Sequence, residues 1–112
     1  MRYWNEIDSR EIDGFTVVLE TSWEDIDPRD LFDDSIDDVN DIVEKINTGF
    51  YEWFILRARV VFDGITIGDS TIGGLLEENC SDILKDTGTI DDLIDESMYQ
   101  AKQFIDNIKK VA

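Results

Sequence analysis

The sequence predicts an α+β domain that spans residues 1–112, with a small antiparallel β-sheet of about three to four strands and two to three helices packed on one face. Two segments alternate apolar and polar side chains with the period of a strand, and Asp-Gly pairs beside them are typical of tight hairpin turns. Other segments repeat apolar residues at helical spacing. Packing the apolar helix stripes on one sheet face is the simplest layered arrangement of these elements.

The N-terminal third predicts one clear strand and a loop. Residues 1–13 are weakly patterned and suit a short edge strand or an irregular arm. The turn signal Asp13-Gly14 precedes residues 15–20, whose alternation predicts a strand. Pro28 interrupts regular structure, so a long acidic loop is expected over residues 23–34.

The central segment carries the strongest strand signal. Residues 50–62 alternate over their whole length, and one predicted face carries Phe54, Leu56, Ala58, Val60 and Phe62. Asp63-Gly64 matches the preference of a type I′ hairpin turn. A further strand is expected from Ile65 towards Leu75, with Gly68 as a candidate bulge.

Three helices are expected. The first spans residues 36–47 behind a Ser35 cap, the second is a short helix over residues 81–88 with Ser81 as its cap, and the third begins at a Thr89 cap. Each long helix has one apolar stripe. The stripes are Ile36, Val39, Ile42, Val43 and Ile46 in the first helix, and Ile90, Leu93, Ile94, Met98, Ala101, Ile105 and Ile108 in the last.

Charge is the most selective feature of the composition. The chain has 27 acidic and 10 basic side chains, for a net charge of −17. Such a field repels nucleic acid and anionic membranes, so we expect neither to bind directly; it attracts basic proteins. No apolar run is long enough for a membrane span, we expect no secretory signal, and the single cysteine suits a reducing compartment, so a cytoplasmic location is expected.

The residue types exclude much catalytic chemistry. The chain has no histidine, which removes the commonest general base and the usual zinc ligand, and it has no phosphate-binding glycine loop. Cys80 is the single cysteine, so no internal disulfide can form. Because no histidine is present to activate it, we expect the Cys80 thiol to be unreactive. We therefore expect no enzyme activity and no cofactor.

Acidic residues crowd into one stretch, with ten carboxylates among the 21 residues from Glu24 to Glu44. Asp37, Asp41 and Glu44 would lie in one row on the predicted helix, with Cβ atoms about 5–6 Å apart. This spacing resembles the phosphates of one nucleic-acid strand, which rise about 3.4 Å along the axis per nucleotide. The predicted partner-binding residues are Asp25, Asp27, Asp30, Asp33, Asp34, Asp37, Asp38, Asp41 and Glu44.

Other interpretations of the acids remain open. A charge run can serve solubility or halophilic adaptation, although those predict acids spread evenly along the chain. A calcium loop counted from Asp25 fails, because Asp30 and Ile36 occupy the positions that need Gly and Glu. We therefore predict no dedicated metal site. Any two carboxylates would suit glycosidic catalysis, so that signal has little specificity.

The second face of the strand over residues 50–62 combines aromatic residues with arginine, as protein interfaces often do. We expect this face either to be covered by the N-terminal arm with Trp4 or to form a homodimer contact, with the arginines pairing with acids of the arm or of a partner. The residues of this possible self-association are Tyr51, Trp53, Arg57 and Arg59.

In size, charge, absence of disulfides and the row "DDSIDDVNDIVEK" at residues 33–45, the chain resembles small acidic proteins of phages and mobile elements that imitate DNA. Anti-restriction and some anti-CRISPR proteins belong to this class. The resemblance implies a non-catalytic inhibitor. It would bind a basic nucleic-acid-binding protein or ribonucleoprotein complex and block its nucleic-acid site. The alternative is an acidic protein-interaction module without mimicry.

Overall fold

A computed structural model describes residues 2–31 and 38–111, and within them four strands form one antiparallel sheet in the order β1-β2-β3-β4. The elements in chain order are β1 (Asn5–Ile12), β2 (Phe15–Trp23), α1 (Pro28–Leu31), α2 (Val39–Asn47), β3 (Glu52–Phe62), β4 (Ile65–Glu77), a 3-10 helix (Cys80–Lys85) and α3 (Thr87–Val111). The predicted α+β class and antiparallel sheet are confirmed. Among the described helices, none has both the length and the hydropathy to cross a membrane.

Both predicted Asp-Gly turns connect neighbouring strands. Asp13 and Gly14 have φ values of 53° and 84°, and Asp63 and Gly64 have 54° and 77°. Two successive positive φ angles define a type I′ turn, whose twist matches that of the flanking strands. The β3–β4 hairpin therefore forms as predicted, and the predicted Asp13-Gly14 turn joins β2 to β1, which occupies most of the segment expected to be a short edge strand or an irregular arm.

The core lies between the sheet and α3. Leu19 of β2 and Leu56 and Val60 of β3 are fully buried on the face that α3 covers. The apolar stripe of α3 is buried from Ile90 to Ala101, as predicted, but its last member, Ile108, is 49% exposed. The helix thus extends beyond the sheet that it covers.

Gly68 sets how closely α3 approaches β4. A Cβ atom at this position would lie 2.3 Å from the backbone oxygen of Ser97 and 2.9 Å from the backbone nitrogen of Ala101. The pairing register shifts beside it, since Val60 faces Gly68 while Val61 faces Thr66. The predicted bulge is therefore present next to Gly68, and the glycine itself permits close backbone contact with the helix.

The predicted start of α3 is wrong by three residues. The helix begins at Thr87, and the Asp86 carboxylate accepts hydrogen bonds from the Thr89 backbone N–H (3.2 Å) and hydroxyl (2.8 Å). The Asp86 carbonyl also accepts from the Ile90 N–H at 3.1 Å. Asp86 is thus the N-cap, and Thr89 donates to the cap instead of being one.

Two other caps differ from the prediction. The short helix is a 3-10 helix whose N-cap is Asn79 rather than Ser81. Helix α2 has Asp38 as its N-cap, with its carboxylate accepting from the Asp41 N–H at 3.2 Å, and begins at Val39 rather than at residue 36. The predicted Ser35 cap lies outside the described residues.

The Asp86 cap predicts a specific pH dependence. The Thr89 hydroxyl, and then the Thr89 backbone N–H, lower the pKa of Asp86 below its usual value. Its contribution to stability is therefore fully present above the unfolded-state pKa of about 3.9 and is lost as pH falls through the folded-state pKa. We expect wild-type protein to exceed Asp86→Asn in melting temperature at pH 6, with the difference shrinking below about pH 4.

Thermal unfolding of both proteins from pH 6 to pH 3 measures this difference. Comparing two proteins at each pH removes the general effect of protonating the other carboxylates. A difference that stays constant over this range would contradict the role of the Asp86 charge at the cap.

Candidate functional site

The first part of the acidic stretch is held against the sheet by Glu24. Its Oε2 accepts from the Gly74 N–H of β4 at 2.8 Å, and its Oε1 accepts from the Ile26 N–H at 3.1 Å. The indole N–H of Trp53 donates to the Ile26 carbonyl at 2.8 Å, and Trp53 is only 9% exposed. Glu24 therefore fastens the segment before α1 to the sheet. Sequence reasoning missed this role because the partner, Gly74, lies 50 residues away.

Two of the predicted partner-binding acids near α1, Asp25 and Asp27, already pair with an arginine of the same chain. Asp25 forms an ion pair with Arg2 at 2.5 Å. Asp27 accepts from the Arg29 backbone N–H at 3.0 Å and lies 3.6 Å from the Arg29 guanidinium group. Asp30 is exposed and has no ion pair within the described residues. Three further members of the set, Asp33, Asp34 and Asp37, lie outside the described residues.

The described part of the predicted row lies on α2. Because the helix begins after its Asp38 cap, only Asp41 and Glu44 of the predicted row lie on it. Asp41 pairs with Lys45 at 3.0 Å, and this hydrogen bond raises the pKa of Lys45. Asp37, the third member of the predicted row, lies outside the described residues.

A more regular acidic surface lies on α3. Asp91, Asp92, Asp95 and Glu96 are exposed, and none forms an ion pair with another described residue. They are spaced i, i+1, i+4 and i+5, so they form two short rows on one side of the helix. We call these four residues the α3 acidic face.

The side of α3 opposite the α3 acidic face packs on the sheet and so fixes the position of these four carboxylates. Ile90, Leu93, Ile94 and Ser97 are 6% exposed or less and pack towards the sheet. The carboxylates therefore occupy fixed positions along a 25-residue helix that is anchored in the core. The sequence already indicates this surface, because the four acids fill positions between members of the apolar stripe of α3. The partner-binding surface was predicted elsewhere because acids are denser from Glu24 to Glu44.

The second sheet face holds a buried carboxylate. Glu20 is 5% exposed, and its Oε1 accepts from the guanidinium groups of Arg57, with Nη2 at 2.5 Å, and Arg59, with Nε at 2.9 Å. Trp4 of the N-terminal arm stacks on the Arg57 guanidinium, 4.0 Å from its ring centroid. The expected cover by Trp4 is therefore present, while the acid that pairs with both arginines comes from β2 and not from the arm.

This arrangement covers part of the predicted self-association surface within one chain. Trp53 lies beneath the segment that contains Ile26, and Arg57 lies beneath Trp4. Tyr51 is half-buried and contacts Phe50 edge to face, with ring centroids 5.0 Å apart. Self-association through this face stays a prediction.

A cavity of about 450 Å³ lies where the ends of β2 and β3 meet the N-terminal arm and the end of α2. Cys80 is one of its lining residues, and burial raises the pKa of the Cys80 thiol. The Thr21 hydroxyl lies 3.6 Å from the sulfur atom. A thiol with a raised pKa is less reactive at neutral pH, in line with the unreactive thiol expected from the sequence.

The chain matches no protein-family model, no curated protein and no solved structure. Among the described residues, no group of three or more Cys, Asp or Glu side chains is placed to hold a metal ion. A function can therefore be inferred only from the charges, contacts and exposure of the chain's own residues.

Proposed function

We propose that the protein is a non-catalytic mimic of nucleic acid that binds a basic nucleic-acid-binding protein or ribonucleoprotein complex and blocks its nucleic-acid site. The observation that carries this proposal is the α3 acidic face, a set of exposed carboxylates that pair with none of the described cations, on a helix anchored in the core. Asp30 and Glu44 also lack ion pairs within the described residues, but they lie on α1 and α2 and not on α3.

The spacing of the α3 acidic face suits a phosphate-binding groove. Asp91 and Asp95 are four residues apart, as are Asp92 and Glu96, and each pair is separated by about 6 Å along the helix axis. Phosphates along one strand rise about 3.4 Å per nucleotide along the duplex axis and are somewhat farther apart along the backbone. Basic side chains placed to contact successive phosphates can therefore reach successive carboxylates.

Aspartate favours such mimicry over glutamate. The chain has 18 Asp and 9 Glu residues, and three of the four residues of the α3 acidic face are Asp. An Asp carboxylate is one rotatable bond closer to the backbone, so less side-chain entropy is lost when a partner fixes it. Its charge is therefore held nearer to the position that the helix dictates.

The target class that we propose is a bacterial defence complex, such as a restriction enzyme or a CRISPR effector, in the cytoplasm of the host cell. These complexes bind nucleic acid through basic grooves, and a net charge of −17 draws the protein to such a groove. A small inhibitor of this kind needs no catalytic group, because occupying the groove is sufficient.

A pair of charge-matched variants tests the proposal. The first removes the α3 acidic face through Asp91→Asn, Asp92→Asn, Asp95→Asn and Glu96→Gln. The control removes four exposed acids that lie elsewhere, through Asp63→Asn, Asp69→Asn, Glu78→Gln and Asp106→Asn. All eight residues are exposed, and none has an ion pair within the described residues, so we expect both variants to fold.

The readout is inhibition of DNA binding by a panel that contains a restriction endonuclease, a CRISPR effector ribonucleoprotein and a nucleoid protein. We expect wild type to inhibit at least one member and the first variant to lose about tenfold or more in affinity, because one close interfacial charge pair is worth about 1.5 kcal/mol or more. The control should stay within about threefold of wild type.

The alternative interpretation is an acidic domain whose charge serves only solubility. It predicts that the two variants behave alike, since each removes four charges. Equal inhibition by both variants and wild type, or equal loss in both, would therefore overturn the placement of the interface on α3.

A further inference from the structure

The outer edge of β4 is open along residues 68–72. In the sheet order β1-β2-β3-β4, the last strand pairs with β3 alone, and this pairing is regular over residues 68–72. The Asp69 N–H points away from β3, because it donates to the Gln100 side chain of α3 at 3.2 Å. Successive residues of an antiparallel strand direct their backbone groups to alternate sides. The Asp69 carbonyl and the N–H and carbonyl of Thr71 therefore face the open edge.

The two edges of the sheet differ in the features that prevent an added strand. Natural edge strands avoid pairing with other chains through charged side chains and prolines, among other features. The outer strand β1 carries four charged side chains in eight residues. Residues 68–72 of β4 carry one, Asp69, and contain no proline. The open edge of β4 is therefore better suited to accept a further strand than β1 is.

A groove of about 250 Å³ lies between this edge and the first half of α3. Its apolar surface comes from Ile72, which is 38% exposed, and Leu93. The groove is smaller than most small-molecule sites, which occupy about 300–1,000 Å³, and suits a single long side chain. Within the described lining, no side chain is basic. The lining residues are Thr71, Ile72, Thr89, Asp92, Leu93 and Glu96.

The groove fits a lysine or arginine side chain of an added strand. Alternate side chains of a strand paired with β4 would point to the α3 side of the sheet, where the groove lies. The apolar stem of such a side chain can pack on Ile72 and Leu93 while its charged end stays in water beside Asp92 and Glu96. Both carboxylates are exposed and pair with none of the described cations, so they favour a positively charged occupant.

A second copy of this chain is a poor occupant of the edge. Antiparallel pairing of two β4 edges would place the two grooves side by side, with Asp92 and Glu96 of one copy near those of the other. The described groove residues include no Lys or Arg to offset this repulsion, and each chain has a net charge of −17. Like charges placed across an interface oppose association.

We propose that the open edge of β4 binds an extended segment of a partner protein as a fifth strand, with lysine or arginine at alternate positions in the groove beside Asp92 and Glu96. Hydrogen bonds to the backbone of Asp69 and Thr71 hold the segment, and the groove selects its basic side chains. This inference goes beyond nucleic-acid mimicry, which needs only the carboxylates, because it also needs the β4 backbone. Each of the two proposals can therefore fail without the other.

Two capped peptides of equal charge test the fifth strand on the wild-type protein. One is Thr-Arg-Val-Arg-Val-Arg-Thr, and the other has the same sequence with N-methyl groups on its five central residues, which removes the donors for strand pairing. Fluorescence anisotropy at physiological salt measures their binding. We expect the N-methylated peptide to bind at least about fivefold more weakly, because main-chain hydrogen bonds are lost. Equal binding would overturn the proposal, since a net charge of −17 attracts both peptides alike.

Two substitutions of Thr71 locate the peptide on the edge. Thr71→Pro removes the outward N–H and no hydrogen bond to β3, and edge strands tolerate proline at such positions. Thr71→Val is the matched control, because it keeps the N–H. We expect the proline variant alone to bind the unmethylated peptide at least about threefold more weakly, while both variants keep the circular dichroism spectrum of wild type. Equal binding by two folded variants would contradict pairing at Thr71, and the peptide pair decides if the proline variant does not fold.

Two double variants of α3 test the groove. Asp92→Asn with Glu96→Gln removes the two groove charges, and Asp91→Asn with Asp95→Asn removes two charges of the same helix that do not line the groove. We expect the first variant to bind the peptide about fivefold more weakly and the second to stay within about twofold of wild type. Equal losses would overturn the groove contact. A wild-type dimer in sedimentation that Thr71→Pro dissociates would assign the edge to a second copy and overturn the proposed partner.

Discussion

Gly68→Ala is expected to destabilise the protein by about 3 kcal/mol, because the added methyl group meets the backbone of α3. The new Cβ would lie 2.3 Å from the Ser97 backbone oxygen and 2.9 Å from the Ala101 backbone nitrogen. Neither atom can move without shifting α3, which also carries the acidic face. We therefore expect a melting temperature lowered by about 10 °C, measured by circular dichroism.

Gly88→Ala is the matched control for this substitution. Gly88 lies in the first turns of α3, and a Cβ there would be 3.7 Å from an Asp86 carboxylate oxygen, an ordinary contact distance. Alanine reduces the entropy of the unfolded chain, so we expect a gain of about 0.5–1 kcal/mol. Similar melting temperatures for the two variants would show that α3 does not approach β4 at Gly68 as described.

Replacing both Arg57 and Arg59 by Met is expected to destabilise the protein by about 3 kcal/mol or more. Glu20 is 5% exposed and accepts from both guanidinium groups, so their loss leaves a buried carboxylate without its cations. Removing the partners of a buried charge costs far more than the intact pair contributes. Loss of the Arg57 contact with Trp4 adds to the effect.

A triple variant separates the buried charge from the loss of packing. Adding Glu20→Leu to the Arg57→Met and Arg59→Met pair removes the unpaired carboxylate and should restore much of the lost stability, since apolar replacements of buried ion pairs are often neutral or better. Urea unfolding of the three proteins gives the comparison. A triple variant that is less stable than the double variant would contradict the view that the unpaired Glu20 carboxylate causes the loss of stability.

The strands and the core could be predicted because their signals are local. The alternation in β3 and the Asp-Gly turns depend on neighbouring residues, and the α3 stripe depends on a spacing of three to four. The first residues of the helices were harder to predict, because two residues suited to be the N-cap lie close together at each start. Asp38 competes with Ser35 and Asp86 with Thr89, and the propensities of these residue types differ too little to decide.

The candidate site was only partly predictable, because ion pairs depend on residues that are distant in sequence. The density of acids from Glu24 to Glu44 predicted a partner-binding surface there, yet Arg2 pairs with Asp25 and the Gly74 N–H donates to Glu24. These contacts form only when the sheet brings residues 20 to 50 positions apart together. The α3 acidic face needed no such contact, and its spacing within one helix was already present in the sequence.

Competition with duplex DNA tests the central claim most directly. A member of the panel that binds the protein is titrated with it at physiological salt in the presence of a short duplex that carries the target's own site. If the protein mimics nucleic acid, duplex and protein exclude each other from the target. The four substitutions in the α3 acidic face should remove this competition, and the charge-matched control variant should retain it. A ternary complex of target, duplex and protein, or competition unaffected by the α3 substitutions, would contradict nucleic-acid mimicry by this surface.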